Sequence, residues 1–307
     1  MAHHEIPLER RTLHGHFSRD LEPILTVEPG DSIGFACLNA GWRGAAGERF
    51  ELRAPDGDEQ DAGHALIGPV EVRGARAGET LEVRIDEVRI GTWGITDAGG
   101  WHTPLNERLG VDDGEPVVIN WELDANAGVG RDQVGRQVAL RPFLGVIGMP
   151  PNEPGVHSTA PPRACGGNID CKELVAGTTL YLPIPVDGAL LSAGDGHAAQ
   201  GDGEVSQLAI EAPVEHAQLT LSLRDDLALT APIAWTPDAW LTFGFDEDLD
   251  EAAAMAIDGM LELMGREHGL ERREALALAS VVVDLRVTQM VNGARGIHAR
   301  LAHDALR

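Results

Sequence analysis

Gly194-Asp195-Gly196-His197-Ala198-Ala199-Gln200-Gly201-Asp202-Gly203-Glu204 is the stretch from which the rest of the chain reads outward. Its residues carry carboxylate, imidazole and amide groups, set among glycines and alanines. A loop made for solubility has no need of a histidine among so many small residues. A binding site does, because glycine lets the backbone turn and approach a ligand closely. Asp195 and His197 stand two apart, so an extended backbone aims both side chains to one side. A companion stretch lies upstream, Gly166-Gly167-Asn168-Ile169-Asp170-Cys171-Lys172. The chemistry is expected in these two stretches, carried on an all-β support.

That support shows in the chain's texture. Leu25-Thr26-Val27, then Pro29-Gly30, then Ser32-Ile33-Gly34-Phe35 is a strand, a turn and a strand. The same cadence, a small-residue turn launching an alternating strand, returns at residues 77–85 and 176–184, and a further strand is expected at 217–223. Residues 43–65 read as a long polar loop ending at His64, and 91–115 as a second loop holding Trp93, Trp101 and His102. His14 and His16 alternate, as on one face of an edge strand. Helix enters late. Asp248 can cap a helix over 249–268, with Ala253, Ile257, Met260 and Met264 along one face and Gly269 as its stop. A second helix starts near Glu271 and gives way to a strand in 281–287. The expected organisation is an N-terminal β-sandwich-like domain over 1–160, a second β-unit with the site motifs over 161–235, and a C-terminal α/β part over 236–307.

Composition narrows the partners. The formal net charge of −25 repels nucleic acid and anionic membrane surfaces and suits neutral or cationic small ligands. No apolar run has membrane-spanning length and no secretory leader is visible, so a cytoplasmic location is expected. The three cysteines, Cys37, Cys165 and Cys171, show no metal or disulfide spacing. Of 24 basic residues only one, Lys172, is lysine. A compact ammonium and a planar guanidinium are not equivalent, so its place in the companion stretch draws notice.

Asp170, Asp195 and His197 supply the oxygen and nitrogen ligands of a Zn²⁺-like ion. Ca²⁺ is the alternative, because Asp195, Asp202 and Glu204 offer hard oxygens. Glu204 could serve as general base toward water at such an ion. Asn168, Gln200, Asp202 and the backbone at Gly201 and Gly203 could orient a carbonyl. Lys172 could stabilise a developing oxyanion or pin a carboxylate. Such a set polarises a C=O and activates water, the two operations amide hydrolysis requires. The Gly-x-Ser-x-Gly and His-Glu-x-x-His signatures are missing.

At residues 166–172, 179–186 and 188–204 the chain resembles the acetamidase/formamidase family, with supporting stretches at 23–31, 68–85 and 283–293. The resemblance implies a mostly β fold, a jelly-roll-like sandwich plus a second β-barrel-like unit and a smaller C-terminal α/β part. It implies hydrolysis of short linear amides such as formamide and acetamide to ammonia and a carboxylate, a metal ion in some members, and a homodimer. Two positions depart from it: Cys171 replaces a more usual aliphatic residue, and Asn39 stands where an Asp is expected. Rival readings are hydrolysis of another small C–N or ester bond on this scaffold, and a non-catalytic β-sandwich binder with structural Ca²⁺.

Overall fold

The computed structural model describes residues 1–51, 61 and 63–306. Strand accounts for 41% of the chain and helix for 14%, so the fold is mostly β with its helices gathered at the C-terminus. Its centre is a pair of eleven-residue strands, Thr80–Ile90 and Val214–Arg224, paired antiparallel with Leu219 opposite Ile85 and Leu221 opposite Val83. Leu81, Val83 and Ile85 on one strand and Ala217, Leu219 and Leu221 on the other alternate as buried apolar side chains, so the register is fixed by which face must leave water.

These two strands sit inside a nine-stranded sheet. Its order is His3–Ile6, Ser32–Cys37, Val214–Arg224, Thr80–Ile90, Thr179–Pro183, Ile233–Trp235, Ala239–Asp246, Arg295–Ala302 and Val283–Gln289. Strands from 1–160, 161–235 and 236–307 therefore share one sheet. A second, six-stranded sheet runs Gly166–Asn168, Phe143–Gly148, Leu191–His197, Leu66–Val72 and Leu13–His14, with Leu25–Val27 parallel to Leu66–Val72. The main core lies between these sheets, where Ile67, Val70, Leu144 and Ile147 meet Phe35, Val83, Ile85 and Leu219. A four-stranded antiparallel sheet follows the order Gln137–Ala139, Val129–Asp132, Val117–Asp124 and Trp93–Ala98. Among the described residues no sheet closes into a barrel.

The late helix is Leu249–His268, capped by the Asp248 side chain, which accepts from the Asp250 N–H, and ended by Gly269 at φ +67°. Its buried residues are Ala252, Ala256, Met260, Leu261, Leu263 and Met264, with Ala253 and Ile257 partly buried beside them, so the expected face is widened to take in Ala252 and Ala256. The cause is close approach to the sheet. A Cβ on Gly244 would stand 2.0 Å from the Ala252 carbonyl oxygen, and Thr242 Oγ1 donates to the Ala256 carbonyl at 2.7 Å. Only small residues fit that line, so the helix turns its alanines to the strand. The second helix, Arg272–Val282, runs directly into the strand Val283–Gln289.

Two loop expectations change. The 91–115 stretch is not structureless: Trp93–Ala98 is a strand, and Pro104–Leu109 is a short helix capped by Thr103. The loop over 43–65 lies partly outside the described residues. No helix among the described residues is long and apolar enough to cross a membrane.

Candidate active site

The strand Leu191–His197 is buried along its whole length and carries Asp195 and His197 into the protein. His197 Nε2 lies 3.2 Å from Asp195 Oδ2, so the two do point the same way. Its antiparallel neighbour Phe143–Gly148 places Gly145 against them. A Cβ at Gly145 would meet Asp195 Oδ2 at 2.5 Å, Asp170 Oδ1 at 2.6 Å and His197 Cε1 at 2.9 Å. Glycine is needed there because any side chain would fill the centre. The Phe143 ring stands edge-on to the imidazole, centroids 4.9 Å apart, and fixes its plane.

Asp170 arrives from the companion stretch, its Oδ1 3.8 Å from His197 Nδ1. Asn292 Nδ2 donates to Asp170 Oδ2 at 2.6 Å, and Gln200 Nε2 donates to the Asp170 carbonyl at 2.8 Å. Glu211 joins through the isolated bridge between its backbone and that of His197, with Oε1 3.3 Å from His197 Nε2. Ligand atoms of His197, Glu204 and Glu211 lie within 4.8 Å of one another, as do those of Asp170, Asp195 and His197. The result is four carboxylates around one imidazole, all buried. Asp170, Asp195 and Glu204 hold left-handed backbone, φ 51°, 60° and 47°. That conformation costs a non-glycine residue on the order of 1–3 kcal/mol and concentrates at functional sites.

Burial and mutual charge set the protonation. Burial, then the neighbouring Glu204 charge, raises Asp170 well above the usual carboxylate range. Burial raises Glu204 to about 7. Burial alone would raise Asp195 too, but the charges of His197 and His64 outweigh it and bring the carboxyl down to about 2. Burial disfavours the His197 cation, yet Glu211 and Asp195 override it and lift the imidazole well above its ordinary value. Asp170 Oδ1, Asp195 Oδ1, His197 Nδ1, Glu204 Oε2 and Glu211 Oε2 are buried with no hydrogen-bond partner among the described residues. Two overlapping groups of close O and N ligand atoms, with one unsatisfied buried polar atom on each of the five residues, fit a divalent ion.

The other expected site residues stand around this centre. Gln200, Gly201, Asp202 and Glu204 line one cavity of about 420 Å³, with Trp121 and Leu208 among its walls. Lys172 Nζ pairs with Asp202 Oδ1 at 3.0 Å, so its ammonium pins a carboxylate at the cavity edge. Asn168 is buried and spends its Nδ2 on the Ala160 carbonyl, which leaves Oδ1 unpartnered. The Gly203 amide is taken by the Thr288 carbonyl. Glu211 opens onto a second cavity of about 720 Å³ that Asn39, Trp93 and Asp97 also line. Asn39 Oδ1 there accepts from the Arg43 N–H and shapes the loop. Cys171 is 1% exposed, and burial raises its thiol well above the usual range, so it is no nucleophile.

Three contributors lay outside the sequence reading: Glu211, Gly145 and Asn292. A signal existed for the first. Glu211 is a lone carboxylate in the apolar run Leu208-Ala209-Ile210-Glu211-Ala212-Pro213-Val214, where a charge has to be partnered once buried.

A model described as the Acetamidase/Formamidase family matches residues 154–297. The crystal structure of an acetamidase from Bacillus halodurans is 29% identical, with a TM-score of 0.83 over 97% of each chain. A provisionally named formamidase of Schizosaccharomyces pombe is 24% identical over 310 residues, 78% of this chain and 74% of that protein. An acetamidase of Mycolicibacterium smegmatis is 50% identical over 48 residues, 16% of this chain and 12% of its own.

Proposed function

We propose that this chain, which belongs to the acetamidase/formamidase family, hydrolyses short linear amides such as formamide and acetamide to ammonia and a carboxylate. One observation carries the reading: ligand atoms of Asp170, Asp195 and His197 gather beside a glycine that keeps the centre clear, and those of Glu204 and Glu211 close on the same imidazole.

Asp170, Asp195 and His197 are the residues we assign to a divalent ion, with Glu211 beside them; Zn²⁺ is favoured and Ca²⁺ is the alternative. When bound, that ion supplies Lewis acidity, which polarises the amide carbonyl and makes water a better nucleophile. Glu204, held near 7, is poised to take a proton from the attacking water and return it to the departing nitrogen. The C–O bond forms, the C–N bond breaks, and the amine leaves neutral. Gln200 Oε1 and Asn168 Oδ1 are buried acceptors without partners among the described residues, suited to the N–H bonds of an amide. Lys172 acts through Asp202, holding the wall formed by Gly201 and Asp202 in place. Asn292 and Phe143 hold Asp170 and His197 in their orientations. The reading extends to a cytoplasmic homodimer, a state that sedimentation would check.

The experiment is ammonia release from formamide, acetamide and propionamide. Glu204→Gln is expected to lower kcat by about 10²–10⁴-fold while leaving folding intact. Chelation is expected to abolish turnover, and Zn²⁺ to restore it. No ammonia from any short amide would sink the substrate assignment, and chelator-resistant turnover would sink the metal.

A further inference from the structure

One residue beyond Asp170, a second group of ligand-type side chains comes together. Cys171, Glu173 and His298 are 1%, 6% and 0% exposed, and one ligand atom from each lies within 4.8 Å of the others. Cys171 Sγ is 3.5 Å from Glu173 Oε2, and the same oxygen is 3.8 Å from His298 Nε2. His298 Nδ1 is satisfied by Thr288 Oγ1 at 2.8 Å. Its Nε2 has no hydrogen-bond partner among the described residues. The 3.8 Å gap to Glu173 is too long for a hydrogen bond in either tautomer. With Nδ1 donating to the Thr288 hydroxyl, the Nε2 lone pair faces a carboxylate oxygen and a sulfur.

We propose that Cys171, Glu173 and His298 form a second metal site, for a borderline divalent ion of the Zn²⁺ class, distinct from the centre around Asp195 and His197. Thiolate, imidazole nitrogen and carboxylate oxygen are the ligand types such ions take. The surroundings are arranged as they are around metal-binding histidines and carboxylates. Thr288 fixes the imidazole through its remote nitrogen, and Arg286 Nη1 holds Glu173 Oε1 at 3.0 Å, which turns Oε2 toward the sulfur. Loading replaces the S–H bond of Cys171 by a metal–sulfur bond and releases one proton to solvent, with no change of oxidation state. Cys171 follows Asp170 and precedes Lys172, so an ion here anchors the segment that feeds the active centre.

The test is growth in cobalt-supplemented medium, followed by cobalt content per chain and the ultraviolet–visible spectrum. The wild type is expected to show a thiolate-to-cobalt charge-transfer band. Cys171→Val and His298→Gln are each expected to lose the band and one equivalent of cobalt. Asp195→Asn is expected to keep the band while losing amidase activity, which separates this site from the active-centre reading. A wild type without a thiolate band overturns the proposal. So does a band that survives Cys171→Val, which would belong to Cys37 or Cys165. Should Cys171→Val fail to fold, His298→Gln decides, because it retains the thiol.

Discussion

The helical layer and the active centre both pack against sheet strands, yet by opposite rules. Along Leu249–His268 the contact is made by alanines and methionines on Gly244 and Thr242, with the Thr242 hydroxyl donating to the Ala256 carbonyl. Around Gly145 the same closeness brings Asp170 and Asp195 to the His197 imidazole, with Glu204 and Glu211 beside it, and each of the five leaves a buried polar atom without a partner among the described residues. The first region lowers the free energy of the fold by burying apolar surface. The second raises it, through desolvated charge and left-handed backbone, and needs a cation to settle. Stability and chemistry are thus drawn from different parts of one molecule.

That contrast can be broken most sharply at Gly145. Gly145→Ala puts a methyl against Asp170 and Asp195, and activity is expected to fall by at least ~10²-fold, since displacements on this scale already cost that much. Ammonia release and metal content measured together check it; a normal metal content with normal turnover would refute the geometry. Met260→Ala addresses the other region. Loss of a fully buried methionine is expected to cost about 2–5 kcal/mol in denaturant unfolding with kcat unchanged.

A pH experiment on ion-free protein sharpens the distinction. Glu204 has an ordinary value of 4.5 and rises to about 7 in the folded state. Between those values the folded chain binds the proton more tightly than the unfolded chain. Its contribution to stability is full below about 4.5 and is lost as pH rises through about 7. The thermal midpoint of ion-free protein is therefore expected to fall across that window, with a shallower fall in Glu204→Gln. Added divalent ion displaces the proton, so its stabilising effect is expected to grow over the same range. The smallest effect belongs to Asp248→Ala, which removes the cap of the long helix and is expected to cost ~1 kcal/mol in thermal unfolding with no effect on turnover.

The two regions also differ in how far they can be read from sequence. The helix was legible to its ends because its start and stop signals, Asp248 and Gly269, are local. Its buried face was legible in part: Met260 and Met264 are buried and Ala253 and Ile257 pack beside them, while Ala252 and Ala256 are drawn in by Gly244 on a distant strand. Asp170, Asp195, His197 and Glu204 were legible as ligand types crowded by glycine, and the structure brings them together. Gly145 reaches the centre through the pairing of Phe143–Gly148 with Leu191–His197, Glu211 through its bridge to His197, and Asn292 through a side-chain bond to Asp170. Such pairings leave no periodic trace in the chain. Lys172 was conspicuous by its rarity, but rarity carries no direction, and its ammonium meets Asp202.

The positive φ values at Asp170, Asp195 and Glu204 bear on how this protein would respond to selection. At each position glycine suits the main chain better than the residue present, and at Asp170 and Glu204 it also removes a carboxyl that burial keeps from ionising freely. A screen that ranks variants by survival after heating would enrich glycine at Asp170 and Glu204 and fill its winners with inert protein. Selection for turnover keeps the acids in place against that pull, so improvement by heat alone has to be sought elsewhere, in the helical layer.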